Sequence, residues 1–304
     1  TPESLIRVLL DSALEPVLAE KLQGLKTKEE QKAALLSLRV CDPACGSGHF
    51  LLGAARRLGE RLASIRRDGD EPSPDDRRIA LRDVIRSCIY GVDLNPMSVE
   101  LCKVGLWMES MQPGLPLSFL DAHIRCGNSL VGVGPRQQIS ELTVPDNACE
   151  PKTGDDTTTA ARLKKQNKAE SQQMAFTLFT EKEELSNYFT AARQVEAMPE
   201  DSAAAVRAKR EAFADFEQSE QFRRSKDIGD LWTAAFFFKM EPVVTSLSFP
   251  TQGVLWNLQH GRPVNTKLLS ECRETAAKVT AFHWPLMFPS VFAGSENDGF
   301  DVLQ

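Results

Sequence analysis

Two acidic residues in this sequence each follow a short apolar run and stand beside residues that form tight turns. Asp42 follows the run 35–41 and opens the stretch Asp-Pro-Ala-Cys-Gly-Ser-Gly, while Asp93 ends the run 88–93. A glycine turn after a strand lets the backbone approach a ligand closely. A carboxylate in the same place can accept hydrogen bonds from hydroxyl or ammonium groups of that ligand. These residue types predict a small-molecule site around the two acids and the glycines between them.

The elements that must position these residues alternate between helix and strand. Apolar spacing and caps predict a first helix, which Thr1 caps with Pro2 at its first position. Strands are predicted at 35–41 and 88–93, and a strand with a loop at 123–133. Helices are predicted at 49–67, 79–87 and 95–110. Such alternation is typical of an α/β fold with a parallel sheet. Ligands of these sheets lie at the carboxyl ends of the strands, so Asn128 is expected to converge with Asp42 and Asp93.

The composition argues against several classes of protein. The chain has 304 residues, a net charge of −6, and no apolar run near the ~20 residues that a membrane span needs. Seven scattered cysteines without a CxxC pair argue against both a disulfide framework and a zinc site. We therefore expect a cytoplasmic protein with no metal. The acidic balance predicts that any contact with nucleic acid relies mostly on segments outside this chain.

The pattern also predicts the domain organisation. Residues 1–133 form the α/β core, and the polar, turn-rich residues 134–160 form a mobile linker. Residues 161–281 are rich in Ala, Glu, Gln and Lys with scattered aromatic residues, which predicts a mainly helical insertion. Residues 282–304 are expected to return to the core and to supply a fourth strand.

The glycine turn fits some ligands better than others. The phosphate loop of ATPases needs GxxxxGK[ST], and this turn has no such lysine. The dinucleotide fingerprint needs GxGxxG with an acid ~20 residues later, but Leu51 stands at the third glycine position and Asp93 comes much later. S-adenosylmethionine remains, because carboxylates can bind its ribose hydroxyls and balance its ammonium group.

Four stretches together resemble the adenine-N6 DNA methyltransferases of the gamma motif order. "DPACGSGHFL" resembles their first motif, "GVDLNPMSVELCKVGLW" the second and "IRCGNSLVG" the third, while "TPESLIRVLL" is similar to the motif that precedes the others. The likeness is greatest to type IIG restriction-modification enzymes and bacteriophage-exclusion methylases, in which "FHWPLMFPSVF" and "GFDVL" precede the catalytic motif. It covers 1–133 and 282–304, and it implies a Rossmann-like fold with S-adenosyl-L-methionine as cofactor and double-stranded DNA as substrate.

The resemblance also implies roles for individual residues. Thr1 and Pro2 would lie near the methionine carboxylate, and Asp93 would bind the ribose hydroxyls. Leu94 would contact the adenine ring, Asn128 would hydrogen-bond its edge, and Leu130 would pack nearby. The residues that would line the methionine and ribose are Asp42, Pro43, Ala44, Gly46, Ser47 and Gly48.

The catalytic motif of that family, [DNS]PP[FWY], is not in this sequence, since no Pro-Pro pair occurs in the 304 residues. We therefore expect a fragment truncated before the motif, with no catalytic residue of its own, that binds cofactor without methylating DNA. One alternative is a non-catalytic S-adenosylmethionine-binding module that regulates a partner. A second alternative, an NAD-linked oxidoreductase, is disfavoured by Leu51 and the distant acid. Asp93 as a plain cap of the helix near Pro96 and Asn128 as a plain turn residue also stay open.

Overall fold

The sheet of this protein is parallel throughout, as the sequence predicted. The computed structural model describes residues 2–67, 70–174, 183–245, 248–292 and 299–303. Its four strands are β1 (Val40–Asp42), β2 (Ile89–Asp93), β3 (Ile124–Cys126) and β4 (Val302–Leu303). They lie in the order β3-β2-β1-β4, and every neighbouring pair is parallel. The α/β, Rossmann-like fold class is therefore confirmed.

Helices make up most of the remaining described chain, including the region predicted as a helical insertion. Two short 3-10 turns, Ile139–Glu141 and Asp146–Cys149, stand in the stretch that follows β3. The helices are α1 (Glu3–Leu22), α2 (Lys28–Leu36), α3 (His49–Arg66), α4 (Pro74–Cys88), α5 (Pro96–Ser110), α6 (Thr157–Met174), α7 (Glu183–Glu196), α8 (Ala203–Gln218), α9 (Glu220–Ala234), α10 (Gln252–Gln259), α11 (Thr266–Lys278) and α12 (Trp284–Met287). None of the described helices is long and apolar enough to cross a membrane.

Local capping explains two boundaries that the sequence prediction placed wrongly. The Thr27 hydroxyl accepts a hydrogen bond from the Glu30 amide, and the Glu30 carboxylate accepts one from the Thr27 amide. This capping box starts α2, so residues 35 and 36 end a helix and the strand begins only at Val40. A second box between Ser73 and Asp76 starts α4, so the helix begins at Pro74 and not at residue 79.

Two further elements begin later than predicted. Helix α1 begins at Glu3, and Pro2 is the extended residue that precedes it, with ψ of 139°. The predicted cap, Thr1, lies outside the described residues. The fourth strand, expected within 282–304, begins only at Val302, because the amides of Asp301 and Val302 both donate to the carbonyl of Arg39 before the ladder starts.

The chain divides into two compact units. The first consists of Thr1–Ser129, Gln194–Ala214 and Gly294–Gln304, and the second of Leu130–Arg193 and Asp215–Ala293. This division differs from the predicted domains in three places, because 194–214 belongs with the sheet whereas 130–133 and 282–293 do not. In the predicted linker 134–160, Ile139, Val144 and Cys149 are buried. The mobility of that stretch stays a prediction.

Segment 194–214 joins the rest of the first unit through the buried residue Glu200. The Glu200 carboxylate is fully buried, and it accepts hydrogen bonds from Lys209 Nζ at 2.7 Å and from the Phe119 amide at 3.1 Å. Arg82, also buried, donates to the Glu200 carbonyl oxygen. A buried charge is tolerated only when it is paired and hydrogen-bonded, as Glu200 is here. This network fixes the segment beside β2 and the chain that leads into β3.

In the second unit, the two ends of the inserted region are joined by backbone hydrogen bonds. The Phe282 amide donates to the Val131 carbonyl at 2.7 Å, and the Trp284 amide donates to the Val133 carbonyl at 3.0 Å. Gly132 makes this approach possible, because a Cβ atom there would lie 2.2 Å from the Phe282 carbonyl oxygen. Its φ of 133° is also one that residues with a side chain rarely adopt.

The pairing is completed by a buried imidazole. Nδ1 of His283 accepts a hydrogen bond from the Val133 amide at 3.2 Å, which leaves the Nε2 proton to donate to Asp230 at 3.0 Å. Both side chains are buried, and Lys226 forms an ion pair with the second oxygen of Asp230. Residues 131–133, 282–284 and helix α9 are therefore held together by a satisfied polar network within the unit.

We expect Gly132→Ala to destabilise the protein by about 2 to 4 kcal/mol, because it combines an unfavourable φ with a backbone overlap that no side-chain movement can relieve. Gly154→Ala is the matched control. Gly154 has φ of 94° but nothing within 4 Å of the added Cβ, so its cost should be about 1 kcal/mol. Urea denaturation of both variants measures the difference, and equal losses would contradict the close approach at Gly132.

Candidate functional site

The turn after β1 folds back onto β2. The Cys45 amide donates to the Val92 carbonyl at 2.9 Å, and the Gly48 amide donates to the Cys45 carbonyl at 2.8 Å. Gly46 and Gly48 have φ of 53° and 82°, in the left-handed region that glycine adopts without strain. Helix α3 begins directly after Gly48, so its first backbone amides face the same edge of the sheet. The predicted order of strand, tight turn and helix is confirmed.

Packing beneath the turn explains why two of these positions need glycine. A Cβ atom on Gly48 would lie 2.6 Å from Sγ of Cys102 in α5, and one on Gly91 in β2 would lie 2.9 Å from Leu51. A Cβ atom on Gly46 would meet nothing within 4 Å. Gly48 and Gly91 therefore permit close packing within the protein, whereas Gly46 faces open space.

The thiol of Cys45 belongs to this packing and not to a reactive centre. Its hydrogen bond with Cys102 and its burial raise the pKa of the Cys45 thiol. Cys41 in β1 is also buried, and burial raises its pKa well above the ordinary value. A thiol with a raised pKa is a poor nucleophile and a poor metal ligand. Cys41 and Cys45 are therefore small buried residues of the core.

Asp93 connects the two turns at the ends of β1 and β2. Its Oδ2 accepts a hydrogen bond from the Gly46 amide at 2.9 Å, and its Oδ1 accepts one from the Asn95 amide at 2.8 Å. The cap of α5 is Asn95, whose side chain accepts from the Met97 amide at 2.9 Å. The alternative in which Asp93 caps the helix is therefore wrong. Asp93 instead fixes the position of the glycine turn.

Asp42 lies close enough to Asp93 for the two charges to interact. Its Oδ1 accepts a hydrogen bond from the Ala44 amide at 2.9 Å. Burial raises the pKa of the Asp42 carboxyl, the Ala44 hydrogen bond opposes that rise, and the charge of Asp93 adds to it. Among the described residues, neither carboxylate forms an ion pair. The site is therefore an uncompensated pair of carboxylates beside a glycine turn.

The other residues predicted for the site fall into two groups. Pro43, Ala44 and Ser47 belong to the turn, and the Ser47 hydroxyl lies 3.0 Å from Nδ1 of His49. Leu94, after β2, has 56% of its surface exposed. Pro2 is exposed, at the beginning of α1.

The third strand brings one more part of the predicted site to the same edge. Cys126 lies opposite Asp93 in the ladder, and the Gly127 amide donates to the Asp93 carbonyl at 2.9 Å. Asn128 follows directly and is half-buried. Leu130 begins the second unit and is 93% exposed. The structure thus brings Asp42, Gly46, Asp93 and the residues after β3 to one edge.

Three residues of this region were not singled out by the sequence reasoning. Gly91 permits the close packing of Leu51 and Cys45 against β2, and a glycine inside an apolar strand is a recognisable signal of such an approach. Cys102 packs under the turn from α5. Cys126 is exposed beside Leu94, with Sγ 3.7 Å from the Leu94 carbonyl oxygen.

The arrangement suits a ligand that carries both hydroxyl groups and a positive charge. Each Asp93 oxygen accepts one backbone amide, and a carboxylate oxygen has two lone pairs, so acceptor capacity remains. A cation would relieve the repulsion between the two acids. The exposed side chain of Leu94 offers an apolar surface beside them.

Comparison with known proteins shows what the first part of the chain is similar to. Residues 18–130 match the family described as MmeI, DNA-methyltransferase domain. A putative type II restriction enzyme and methyltransferase of Methanocaldococcus jannaschii is 32% identical over 136 residues, which cover 40% of this chain and 11% of that protein. The adenine-specific methyltransferase PglX of Streptomyces coelicolor is 29% identical over 144 residues, which cover 45% and 10%. The chain thus spans about a tenth of the length of these relatives. No solved structure matches.

We expect Asp42→Asn to raise the free energy of unfolding at pH 7. Burial and Asp93 penalise the charged form of Asp42 in the folded protein, and the amide oxygen can keep the Ala44 hydrogen bond. Because the folded pKa is raised, the wild-type protein recovers this stability as the pH falls. The difference between variant and wild type should therefore close below the ordinary aspartate pKa of about 4.

Asp76→Asn provides a control of opposite sign. Hydrogen bonds from Ser73, together with Arg67, lower the pKa of the exposed Asp76 carboxyl to about 2. This variant should be less stable than wild type at pH 7, and its deficit should shrink only as the pH falls towards 2. Thermal denaturation across pH 2 to 7 measures both. A destabilised Asp42→Asn at pH 7 would contradict the electrostatic description of the site.

Proposed function

We propose that this chain is the S-adenosylmethionine-binding part of a site-specific adenine-N6 DNA methyltransferase. Residues 18–130 match the DNA-methyltransferase family of restriction-modification and phage-exclusion enzymes. The observation that carries the proposal is the carboxylate pair at the ends of β1 and β2, with the glycine turn held against Asp93. S-adenosylmethionine has two ribose hydroxyls, a sulfonium and an ammonium group, which match the free acceptors and the negative charge of this site.

Each part of the cofactor has a candidate partner. Asp93 accepts hydrogen bonds from the ribose hydroxyls through the lone pairs that its two backbone hydrogen bonds leave free. Leu94 packs against the adenine ring. Asp42 balances the positive charge of the methionine moiety. Gly46 faces open space, so the cofactor can lie against its backbone. Asn128 hydrogen-bonds the adenine edge.

The remaining assigned residues have smaller roles in the proposal. Pro43, Ala44, Ser47 and Gly48 shape the turn that contacts the methionine and ribose. Pro2 lies near the methionine carboxylate together with Thr1, and Leu130 packs near the adenine. These roles come from the match of each position to the family's motifs.

Adenine-N6 as the target rests on the motif resemblance and on PglX, the relative whose name states adenine specificity. In the family's [DNS]PP[FWY] motif, the Asn or Asp side chain and the first Pro carbonyl accept hydrogen bonds from the target amino group. This keeps electron density on N6 for in-line attack on the methyl group, while the aromatic ring stacks on the flipped base. Without a Pro-Pro pair, these 304 residues lack the groups that position the base.

DNA contact is proposed to come mainly from residues outside this chain. The net charge is −6, which gives little attraction to a phosphate backbone. Three of the four arginines of α3, and Arg67 directly after the helix, have acidic neighbours. Arg56 pairs with Glu109, Arg57 with Asp11 and Glu15, Arg66 with Asp83, and Arg67 with Asp76.

We expect Asp93→Asn to weaken S-adenosylmethionine binding at least about tenfold, since the loss of charge-assisted hydrogen bonds to the ribose costs on the order of 2 to 3 kcal/mol. Isothermal titration calorimetry measures the affinity. Asp93→Ala would release both the Gly46 and the Asn95 amide, whereas the single amide oxygen of the Asn variant can still accept one of them, so the Asn variant is the cleaner test.

The matched control for that variant is Asn95→Ala. It removes the cap of α5 two residues away, which should cost about 1 kcal/mol of stability. Because Asn95 has no proposed contact with the cofactor, the affinity should stay within about threefold. Unchanged affinity in a folded Asp93→Asn protein would refute the ribose assignment.

We expect the 304-residue chain to bind S-adenosylmethionine but to transfer no methyl group to DNA. Positioning of the target amino group is a large part of the catalytic gain, and the residues for it are absent from this sequence. A longer protein that continues into an Asn-Pro-Pro-aromatic motif should transfer. The assay uses labelled methyl donor and adenine-containing duplex DNA with both lengths in parallel. N6 methylation by the short chain would overturn this prediction.

A further inference from the structure

Helix α5 is apolar on both of its faces. One face packs into the first unit through Val99, Cys102 and Leu106, which are buried in the core cluster. The opposite face carries apolar side chains that are exposed to solvent. These are Met97 at 65%, Leu101 at 52%, Val104 at 44% and Met108 at 69%, followed by Met111 at 57% directly after the helix.

The spacing of these exposed residues is that of a coiled-coil seam. From Met97 to Met111 the intervals are four, three, four and three residues, the a/d repeat of a helix that packs along a second helix. A surface helix of a monomer instead directs polar residues away from the core. The exposed stripe therefore indicates a helical partner and not a solvated face.

The apolar area of this exposed stripe is that of an interaction site. Five side chains at these exposures present on the order of 600 Å² of apolar surface, the size at which a patch on a soluble protein marks an interaction site. A standard interface needs about 800 Å² from each partner, so this stripe and its rim approach what a dimer requires. A single contact between two such faces would bury most of that surface.

The stripe is also nearly symmetric about its centre. If two copies pair in antiparallel fashion around Val104, Met97 of one faces Met111 of the other, and Leu101 faces Met108. Self-complementarity of this kind is what a two-fold interface requires, since the same patch serves both partners.

The charges around the stripe do not oppose this pairing. Glu109 is engaged with Arg56, and Lys103 is engaged with Glu100 and Asp121, all within the first unit. In the antiparallel arrangement Glu100 lies opposite Met108 and not opposite a second Glu100. No like-charged side chains of the helix are thereby placed face to face.

We propose that the exposed face of α5 is the interface through which two copies of this chain associate in solution. The occupant is a second copy, and the contact is an antiparallel helix pair centred on Val104. The proposal does not depend on the proposed cofactor or substrate.

The experiment is sedimentation equilibrium of the unmodified chain from low to high micromolar concentration. The expected result is a mass that rises towards twice 33.7 kDa. Leu101→Lys should weaken the association at least about tenfold, because a lysine would have to be desolvated in the seam. Val8→Lys, at a site that is 63% exposed on α1, is the matched control and should leave the association unchanged.

Cross-linking tests the geometry. In a Cys126→Ser background, which removes the exposed thiol, Val104→Cys should form a covalent dimer under mild oxidation and Val8→Cys should not. Circular dichroism confirms that the variants are folded. A monomer at every concentration would overturn the proposal, and so would a dimer that folded Leu101→Lys leaves intact.

Discussion

The arrangement at the sheet edge depends on one carboxylate. Asp93 accepts the Gly46 amide with one oxygen and the Asn95 amide with the other, so a single side chain fixes both the turn after β1 and the entry to α5. The Gly127 amide, after β3, binds the carbonyl of the same residue. Three consecutive strand ends are therefore held in register by the backbone and side chain of Asp93. A site built this way is positioned before any ligand arrives, which lowers the cost of binding.

The glycines complete that constraint in two different ways. Gly48 and Gly91 are required by the protein, because Cys102 and Leu51 occupy the space in which a side chain would stand. At Gly46 no atom occupies the space in which a side chain would stand, so its Cα faces open space. Its amide donates a hydrogen bond to Asp93. The same turn thus combines tight packing beneath with an open surface above. This division is what a backbone-lined binding site needs, and it follows from the positions of only three glycines.

The strand ends and the glycine turn of the site could be predicted from sequence, because their signals were local and strong. The run 88–93 ends in an acid, and the glycine spacing after Asp42 permits only a tight turn, so the strand ends and α3 were placed correctly. The start of β1 was missed because Leu35 and Leu36 are as apolar in a helix as in a strand, and only the Thr27–Glu30 box decides between them. The interaction of Asp93 with Gly46 spans 47 residues, and no local pattern announces it.

The division of the chain was harder to predict for the same reason. Residues 194–214 look like the rest of the helical region, but Glu200 forms buried contacts with Phe119 and Arg82 that place them with the sheet. Residues 282–284 look like the approach to a strand, but their amides pair with Val131 and Val133 in the second unit. Both assignments depend on contacts between residues that are far apart in the chain, which composition and periodicity do not record.

The central claim is that the carboxylate pair and glycine turn bind S-adenosylmethionine. The most direct measurement is a calorimetric titration of the unmodified 304-residue chain with S-adenosylmethionine and, separately, with NADH. Both ligands carry a ribose that a strand-end carboxylate can bind, but only the first adds the sulfonium and ammonium charges that Asp42 and Asp93 can balance. The account predicts saturable binding of one S-adenosylmethionine per chain and no binding of NADH. Binding of NADH without binding of S-adenosylmethionine would contradict it.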